Sequence, residues 1–423
     1  MPTAAPLRFG ARTLALLLAA VAVGAQAADQ AGAGTGQTIG NMLGRDSTVS
    51  MNVRSYLMDR EKPGPVYDQA WALGGWLGYQ SGWLADTFQF GLTGYTSQPL
   101  WAPAGSDGTL LLAPGQKGYS VLGQAWASLK LLDQTLTGGR FEVNQAEVNP
   151  QDTRMTPNTF EGVRLSGDIA GANYLLAWLT SEKTRNSTQF INMATVAGAP
   201  ANVSSSMWLF GVSGEPLKDL KLRFSTYHVP DVLNSSYLDA SWLTRLSGLY
   251  QLRLGAQVMN QSSTGSNALT GSSFSTGVAG VKGDLIAGPA TATLAYTQAR
   301  SSAAYRTPYG SWVGYTSMIV NDFNQAGQKA LLVSGTYDFA ANGVPGLAMN
   351  AGVLFSRDAV NAATGAALPN QNEYDLTLDY RFTAAHWPKW AKPLWLRARA
   401  ALVTSSAGNT NDYRVILNYP FDF

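Results

Sequence analysis

Arginine recurs near the carboxy-terminal end of the chain where an anion could be held. Arg381 closes Tyr374-Asp375-Leu376-Thr377-Leu378-Asp379-Tyr380, Arg397 and Arg399 stand two residues apart, and Arg414 follows Asp412-Tyr413. In an extended strand, residues two apart share a face and lie about 7 Å apart. That puts Arg397 and Arg399 side by side, with Arg381 and Arg414 in the same register on the flanking stretches. A guanidinium group meets a carboxylate through two parallel hydrogen bonds, and a row of moderate sites lets an anion step along without being trapped. Asp375, Asp379 and Asp412 share these faces, so part of the row is expected to be paired internally. For a single arginine, a solvated charge balanced by a neighbouring Asp is an equal reading. Four clustered on three consecutive strands favour a shared role.

Those residues need strands to position them, and the sequence supplies the period. From Tyr374 to Phe382 the apolar face is Tyr374, Leu376, Leu378, Tyr380 and Phe382; from Leu394 to Leu402 it is Leu394, Leu396, Ala398, Ala400 and Leu402; at the end it is Tyr413, Val415, Leu417, Tyr419, Phe421 and Phe423. Leu220-Leu222-Phe224 and Tyr250-Leu252-Leu254 alternate in the same way. Strict alternation marks half-buried strands, but it does not separate a sandwich from a barrel. Paired arginines on the inner face do, because a dry core cannot solvate them and a water-filled lumen can. The 12 Trp and 18 Tyr suit the aromatic girdles of a transmembrane barrel.

Composition narrows the function. With 45% hydrophobic and 13% charged residues the chain is not disordered, and a mean hydropathy of −0.06 is too low for a polytopic helical membrane protein. There is no Cys and only His228 and His386, so disulfides, thiolate metal sites and imidazole chemistry have little to work with. No cofactor is implied. Arg8 and Arg12, the apolar run Leu14 to Val23 and Ala25-Gln26-Ala27 read as a signal peptide over residues 1–27. Cleavage after Ala27 removes two of 29 basic residues, leaving 27 against 27 acidic ones. A neutral mature chain argues against nucleic-acid binding.

The alternation and the Gly, Pro and Asn breaks predict an all-β, transmembrane antiparallel barrel of about eighteen strands over 48–423. Starts fall near Thr48, Val66, Thr87, Gly118, Thr135, Phe160, Asn173, Ser204, Asp219, Ser241, Leu249, Phe274, Pro289, Gln328, Leu347, Glu373, Pro393 and Asp412. Residues 28–47 form a periplasmic segment, and the Gly- and Ala-rich Ala28 to Arg45 is expected to stay loosely ordered. Long external loops are expected at Pro99 to Lys117, Asn144 to Thr159, Arg185 to Val203 and Arg300 to Gly327, with short turns at Ala170-Gly171 and Asn342-Gly343.

Two stretches carry a resemblance. Asp152-Thr153-Arg154-Met155-Thr156-Pro157-Asn158-Thr159-Phe160-Glu161-Gly162-Val163 resembles the third loop and following strand of OprD-type porins. Pro308-Tyr309-Gly310, Gly314-Tyr315-Thr316-Ser317 and Asn321-Asp322-Phe323-Asn324-Gln325-Ala326-Gly327 resemble that family's seventh loop. The terminal Phe423, with its alternating aromatic residues, resembles the signal read by the barrel assembly machinery.

The resemblance implies a substrate-selective channel for small anionic or zwitterionic, carboxylate-bearing solutes, surrounded by outer-membrane lipid and lipopolysaccharide, as a monomer or loose homotrimer. It also implies a third loop folded into the lumen, with Arg154 at its basic position and Arg381, Arg397, Arg399 and Arg414 on the wall. Arg140 and Arg164 are weaker wall candidates. Glu147 and Asp152 are candidates for an acidic patch that admits an amino group. Tyr305 is a candidate for lining the seventh-loop side, while Tyr309 reads as loop packing. A hydrolase is disfavoured because neither His has a Ser or acidic partner in a motif. A general-diffusion porin is the main alternative, and a sugar or chitooligosaccharide channel is the third.

Overall fold

The computed structural model describes residues 39–64 and 66–422. The expected signal peptide and the carboxy-terminal Phe423 lie outside the described residues. A short helix, α1 (Ile39–Leu43), precedes the first strand and buries Met42. For residues 39–43 this corrects the expected loose segment.

Nineteen strands follow in one sheet. They are β1 (Thr48–Lys62), β2 (Val66–Gln80), β3 (Phe88–Trp101), β4 (Tyr119–Leu131), β5 (Gln134–Phe141), β6 (Thr159–Ile169), β7 (Ala172–Lys183), β8 (Ile191–Asn192), β9 (Met207–Leu217) and β10 (Leu220–Val229). Then come β11 (Leu233–Ser247), β12 (Tyr250–Ser263), β13 (Ser275–Ala287), β14 (Ala290–Ala299), β15 (Lys329–Asp338), β16 (Leu347–Arg357), β17 (Gln371–Arg381), β18 (Trp395–Ser405) and β19 (Thr410–Asp422). The long strands pair antiparallel with their neighbours; the two-residue β8 pairs with β7 alone, and β7 also pairs with β9. β1 pairs with β19 from Ser50↔Asp422 to Glu61↔Asn411, which closes an 18-stranded barrel. Closure leaves no sheet edge with unpaired backbone groups, the condition for spanning lipid with strands.

The eighteen long strands agree with the number read from the sequence. One start was misplaced. β11 begins at Leu233, not near Ser241, because Pro230-Asp231 makes a tight turn with Asp231 at φ 64°. Asn342-Gly343 sits inside an eight-residue connection that carries a 3-10 turn at Phe339–Asn342. Two-residue turns such as Leu132-Asp133 (φ 48° and 65°) and Ala170-Gly171 (φ 54° and 82°) have both residues left-handed, the conformation that matches strand twist in a hairpin.

Outward positions on the strands are apolar and exposed, among them Leu77, Trp208, Leu294, Val333, Leu376 and Tyr413. A surface this apolar requires lipid around it. No described helix is long and apolar enough to cross a membrane; the strands do so.

Inside, the long loops divide the lumen unevenly. Val143 and Val148 of the third loop, Met193 and Ala199 of the fourth and Tyr309 of the seventh pack with Phe141, Phe160, Leu179, Leu209, Tyr227 and Leu233 into one hydrophobic cluster. It fills the lumen against β5–β11. The short helix α2 (Met193–Val196), capped by Asn192, belongs to this plug. Leu111, Leu112 and Met155 pack on Tyr56, Met58 and Ala72 of β1 and β2. What stays open is a passage against β15–β19 and β1.

Candidate functional site: the lumenal passage

β1, β18 and β19 bring their even- or odd-numbered residues into this passage by strand parity. The registers Arg60↔Asp412, Arg399↔Arg414, Asp379↔Arg397 and Arg381↔Trp395 order the wall from outside to periplasm. A cavity of about 580 Å³ occupies the wider part, lined by Arg60, Arg154, Arg185, Asp322, Asp375, Thr377, Arg399 and Arg414, among others.

The cations on this wall fall into two groups. Asp412 is held between two guanidinium groups: Arg414 donates to it at 2.6 and 3.0 Å and Arg60 at 2.6 Å. Arg397 clasps Asp379 at 2.7 and 2.9 Å. Its Cζ lies 4.6 Å from the ring centroid of Trp395, and that of Arg381 lies 4.9 Å from the same ring. Trp395 thus forms a step between two cations, with its own N–H on Asp379 at 2.9 Å.

Arg154, Arg185 and Arg399 form no ion pair with a described carboxylate. Arg399 donates to Thr377 Oγ1 at 3.3 Å, Arg185 to Thr153 Oγ1 at 2.5 Å, and Arg154 to the Thr109 and Thr153 carbonyls at 2.6 and 2.8 Å. Burial pushes Arg154 down to about 9 and lowers Arg185 as well. Arg154 is still mostly charged at neutral pH. Three guanidinium groups with spare donors therefore face the same cavity of about 580 Å³.

Loop anchoring uses the remaining polar wall. Arg54 of β1 grips the third loop: it donates to Asp152 at 2.6 and 3.1 Å, to the Arg154 carbonyl at 2.5 Å and to Asn418 at 2.7 Å. Glu373 and Asp375 of β17 accept the backbone N–H groups of Ile319, Val320 and Asn321 at 2.8, 2.6 and 3.0 Å, and Arg414 takes the Ile319 carbonyl at 2.9 Å. The seventh loop is thus tied to the basic wall through its own backbone. The two loops lock together where Asn149 bonds Tyr309 and Ser311 at 2.8 to 3.1 Å. A Cβ on Gly310 would lie 2.6 Å from Asn149, so only glycine permits this approach.

The sequence-expected residues are thus placed as follows. Arg154, Arg399 and Arg414 line the cavity, and Arg397 and Arg381 lie below it toward the periplasm. Asp152 lies on the far side of the third loop, paired with Arg54 beside a second cavity of about 300 Å³ that Glu142 also lines. Glu147 does not join it. It is buried behind the loop, accepting from Ser235 at 2.9 and 3.0 Å and from Tyr305 at 2.5 Å. Tyr305 is buried there too and lines no part of the passage, because its hydroxyl is drawn to that carboxyl. Tyr309 packs in the plug, edge-on to Tyr227. Arg140 pairs with Glu161 at 3.2 Å and Arg164 stacks on Phe141; neither reaches the cavity. Arg60 and Arg185 were not picked out from the sequence, and neither was Arg54.

Burial without a cation holds the Glu147 carboxyl up to about 7, although the bonds from Tyr305 and Ser235 act the other way. A carboxyl raised above its ordinary 4.5 stabilises the packed loops below that value, and the contribution is lost as pH rises through the raised one. Protease nicking of the third and seventh loops should therefore speed up several-fold between about pH 5.5 and about pH 8. Glu147→Gln should flatten that dependence; equal slopes in both proteins would refute it.

A closed barrel with a polar lumen, an apolar exterior and inward-folded loops around one charged passage is the architecture of an outer-membrane porin. The sequence pattern of the outer membrane porin, OprD family, matches residues 44–423, and the chain belongs to that family. It resides in the outer membrane of Gram-negative bacteria. Its fold is shared with Pseudomonas aeruginosa OpdK, solved with vanillate (TM-score 0.79, 20% identity, covering 90% of this chain and 99% of that one). It is shared equally with P. aeruginosa OccK9 (OpdG) (TM-score 0.80, 21%, 90% and 100%) and with a BenF-like porin from Pseudomonas fluorescens Pf-5 (TM-score 0.80, 18%, 90% and 99%). The comparison with curated proteins finds no match.

Proposed function

We propose that this porin mediates passive, selective uptake of small carboxylate-bearing solutes, which are held at Arg154, Arg185 and Arg399 and handed down past Arg397, Trp395 and Arg381. One observation carries the reading: these three arginines face the same cavity without an ion-pair partner, whereas Arg54, Arg60, Arg397 and Arg414 are already paired. A paired guanidinium has spent its strongest donors, and an unpaired one offers a carboxylate a charge-assisted bond. The vanillate in the OpdK structure is an aromatic carboxylate of suitable size to test.

Asp322 supports an amino-acid variant of the same reading. It lines the cavity without an ion pair, and burial raises its carboxyl. A zwitterion could set its carboxylate on the arginines and its ammonium on Asp322.

The test is the reversal potential of the mature protein in a planar bilayer under a salt gradient, followed by current block with vanillate, benzoate, arginine and a neutral sugar. Anion preference with block by the aromatic acids supports the acid channel, and block by arginine selects the amino-acid variant. A large, unselective and unblocked current defeats both and leaves a general-diffusion porin. Arg397→Ala should weaken vanillate block less than loss of the unpaired arginines does, since the charge of Arg397 is already committed to Asp379 and the solute loses no free donor there but meets the uncovered carboxylate.

A further inference from the structure

At the external ends of β14–β16 the outward face changes from apolar to basic within one residue pair. Tyr296, Leu331 and Phe355 lie abreast across the three strands and are exposed to lipid. The next outward row is Gln298, Lys329 and Arg357. Arg300 extends β14 by two residues on the same face, its backbone still laddered to Gly277 and Gly327 at 2.9 Å on each side.

Lys329 and Arg357 are direct cross-strand partners, and like charges so placed repel. Asp358 bonds Lys329 at 2.9 Å and offsets one of the three cations. Arg300 and Arg357 form no ion pair with a described residue. A surface cavity of about 600 Å³ lies here, lined by Arg300, Ser301, Ser302, Lys329 and Asp358, with Arg357 beside it as the cross-strand partner of Lys329. The barrel's outward rim at β19 and β1 is different: there Asn411 and Glu61 occupy the equivalent positions and bond each other at 3.4 Å. Of these two stretches of rim, only the one at β14–β16 carries a net positive charge that attracts an anion.

We propose that Arg300, Lys329 and Arg357 form a binding site for the phosphate of an outer-leaflet glycolipid, with the acyl chains lying over Tyr296, Leu331 and Phe355. A phosphate monoester carries nearly two negative charges and three acceptor oxygens, which suits two guanidinium groups and an ammonium. The height of the cluster, one residue pair above the apolar band, is where a lipid headgroup meets the barrel. A soluble anion would gain nothing from the apolar row below, so the site commits to a lipid.

The test is native mass spectrometry of the full mature barrel in detergent with bisphosphorylated lipid A, its dephosphorylated form and inorganic phosphate as probes. Wild type should retain the bisphosphorylated form at least about ten-fold better than the dephosphorylated one, since each surface cation contributes about 1 kcal/mol to binding an anionic lipid. Excess inorganic phosphate should not displace it. Lys329→Gln with Arg357→Gln should lose that preference, and Glu61→Gln should not. Equal retention of both lipid forms by wild type would overturn the proposal without any variant having to fold. Unchanged preference in a double variant that keeps its heat-modifiable migration would do the same, and displacement by inorganic phosphate would show an anion site with no lipid specificity.

Discussion

Arg54→Ala should raise single-channel conductance about two- to three-fold and blunt solute selectivity, although Arg54 does not line the main cavity. The substitution removes both bonds to Asp152, the bond to the Arg154 carbonyl and the bond to Asn418. Asp152 is left beside Glu142 without a cation, and Arg154 loses the support that points it at the passage. Breaking a largely buried pair from one side costs roughly 3 kcal/mol, and less here because the Asp152 side chain is 39% exposed. Asn149 and Met155 still hold the loop at either side. The expected result is therefore a local release of residues 151–154, with the barrel intact. Arg54→Lys keeps one charge on Asp152 but cannot serve the other acceptors, and should fall between the two. An Arg54→Ala channel with wild-type conductance and block would show that the loop is held by packing alone.

The second large effect is expected from Arg185→Gln with Arg399→Gln. Neither residue pairs with a carboxylate, so their removal should leave folding unharmed while taking most of the positive potential from the cavity. At an effective dielectric near 20, a contact ion pair is worth about 4 kcal/mol before desolvation, and about half of that suffices for an affinity loss of about thirty-fold. Vanillate block should weaken by that order, and the reversal potential should move toward zero. Passage of a neutral sugar of similar size should hardly change. Equal loss of both currents would mean a narrowed or misassembled pore, and would count against the arginine path.

How much of this could be read from the sequence depends on which interactions are local. Alternation in β17–β19 is a property of consecutive residues, so strand type, parity and the inward set Arg381, Arg397, Arg399 and Arg414 were all legible. Arg54 and Arg60 were hidden because Tyr56 and Met58 stand between them on the same inward face, which makes the polar side of β1 look apolar. Closure itself was the available clue. In any barrel the first strand meets the last, so the inward residues of β1 had to flank Arg414. The partners within the wall were legible only as a possibility. That Asp412 is shared by Arg60 and Arg414, while Arg399 stays unpaired, depends on side-chain reach across two strands. The fates of Glu147 and Tyr305 were not legible, since a loop's interior face is set by contacts with β11 nearly ninety residues away from Glu147. Ser235, the third member of that cluster, sits in a strand start that Pro230-Asp231 obscured.

The uneven filling of the lumen gives the passage two kinds of bank. One is woven strand, fixed by backbone hydrogen bonds that break only when the barrel itself unfolds. The other is loop, kept in place by the hydrophobic cluster against β5–β11 and by a few ties to Glu373, Asp375 and Arg54. Current fluctuations in the folded channel should thus arise almost wholly from the loop bank. The width of the opening can then be retuned by changing residues in that cluster, far from any solute and with no alteration to the charged wall.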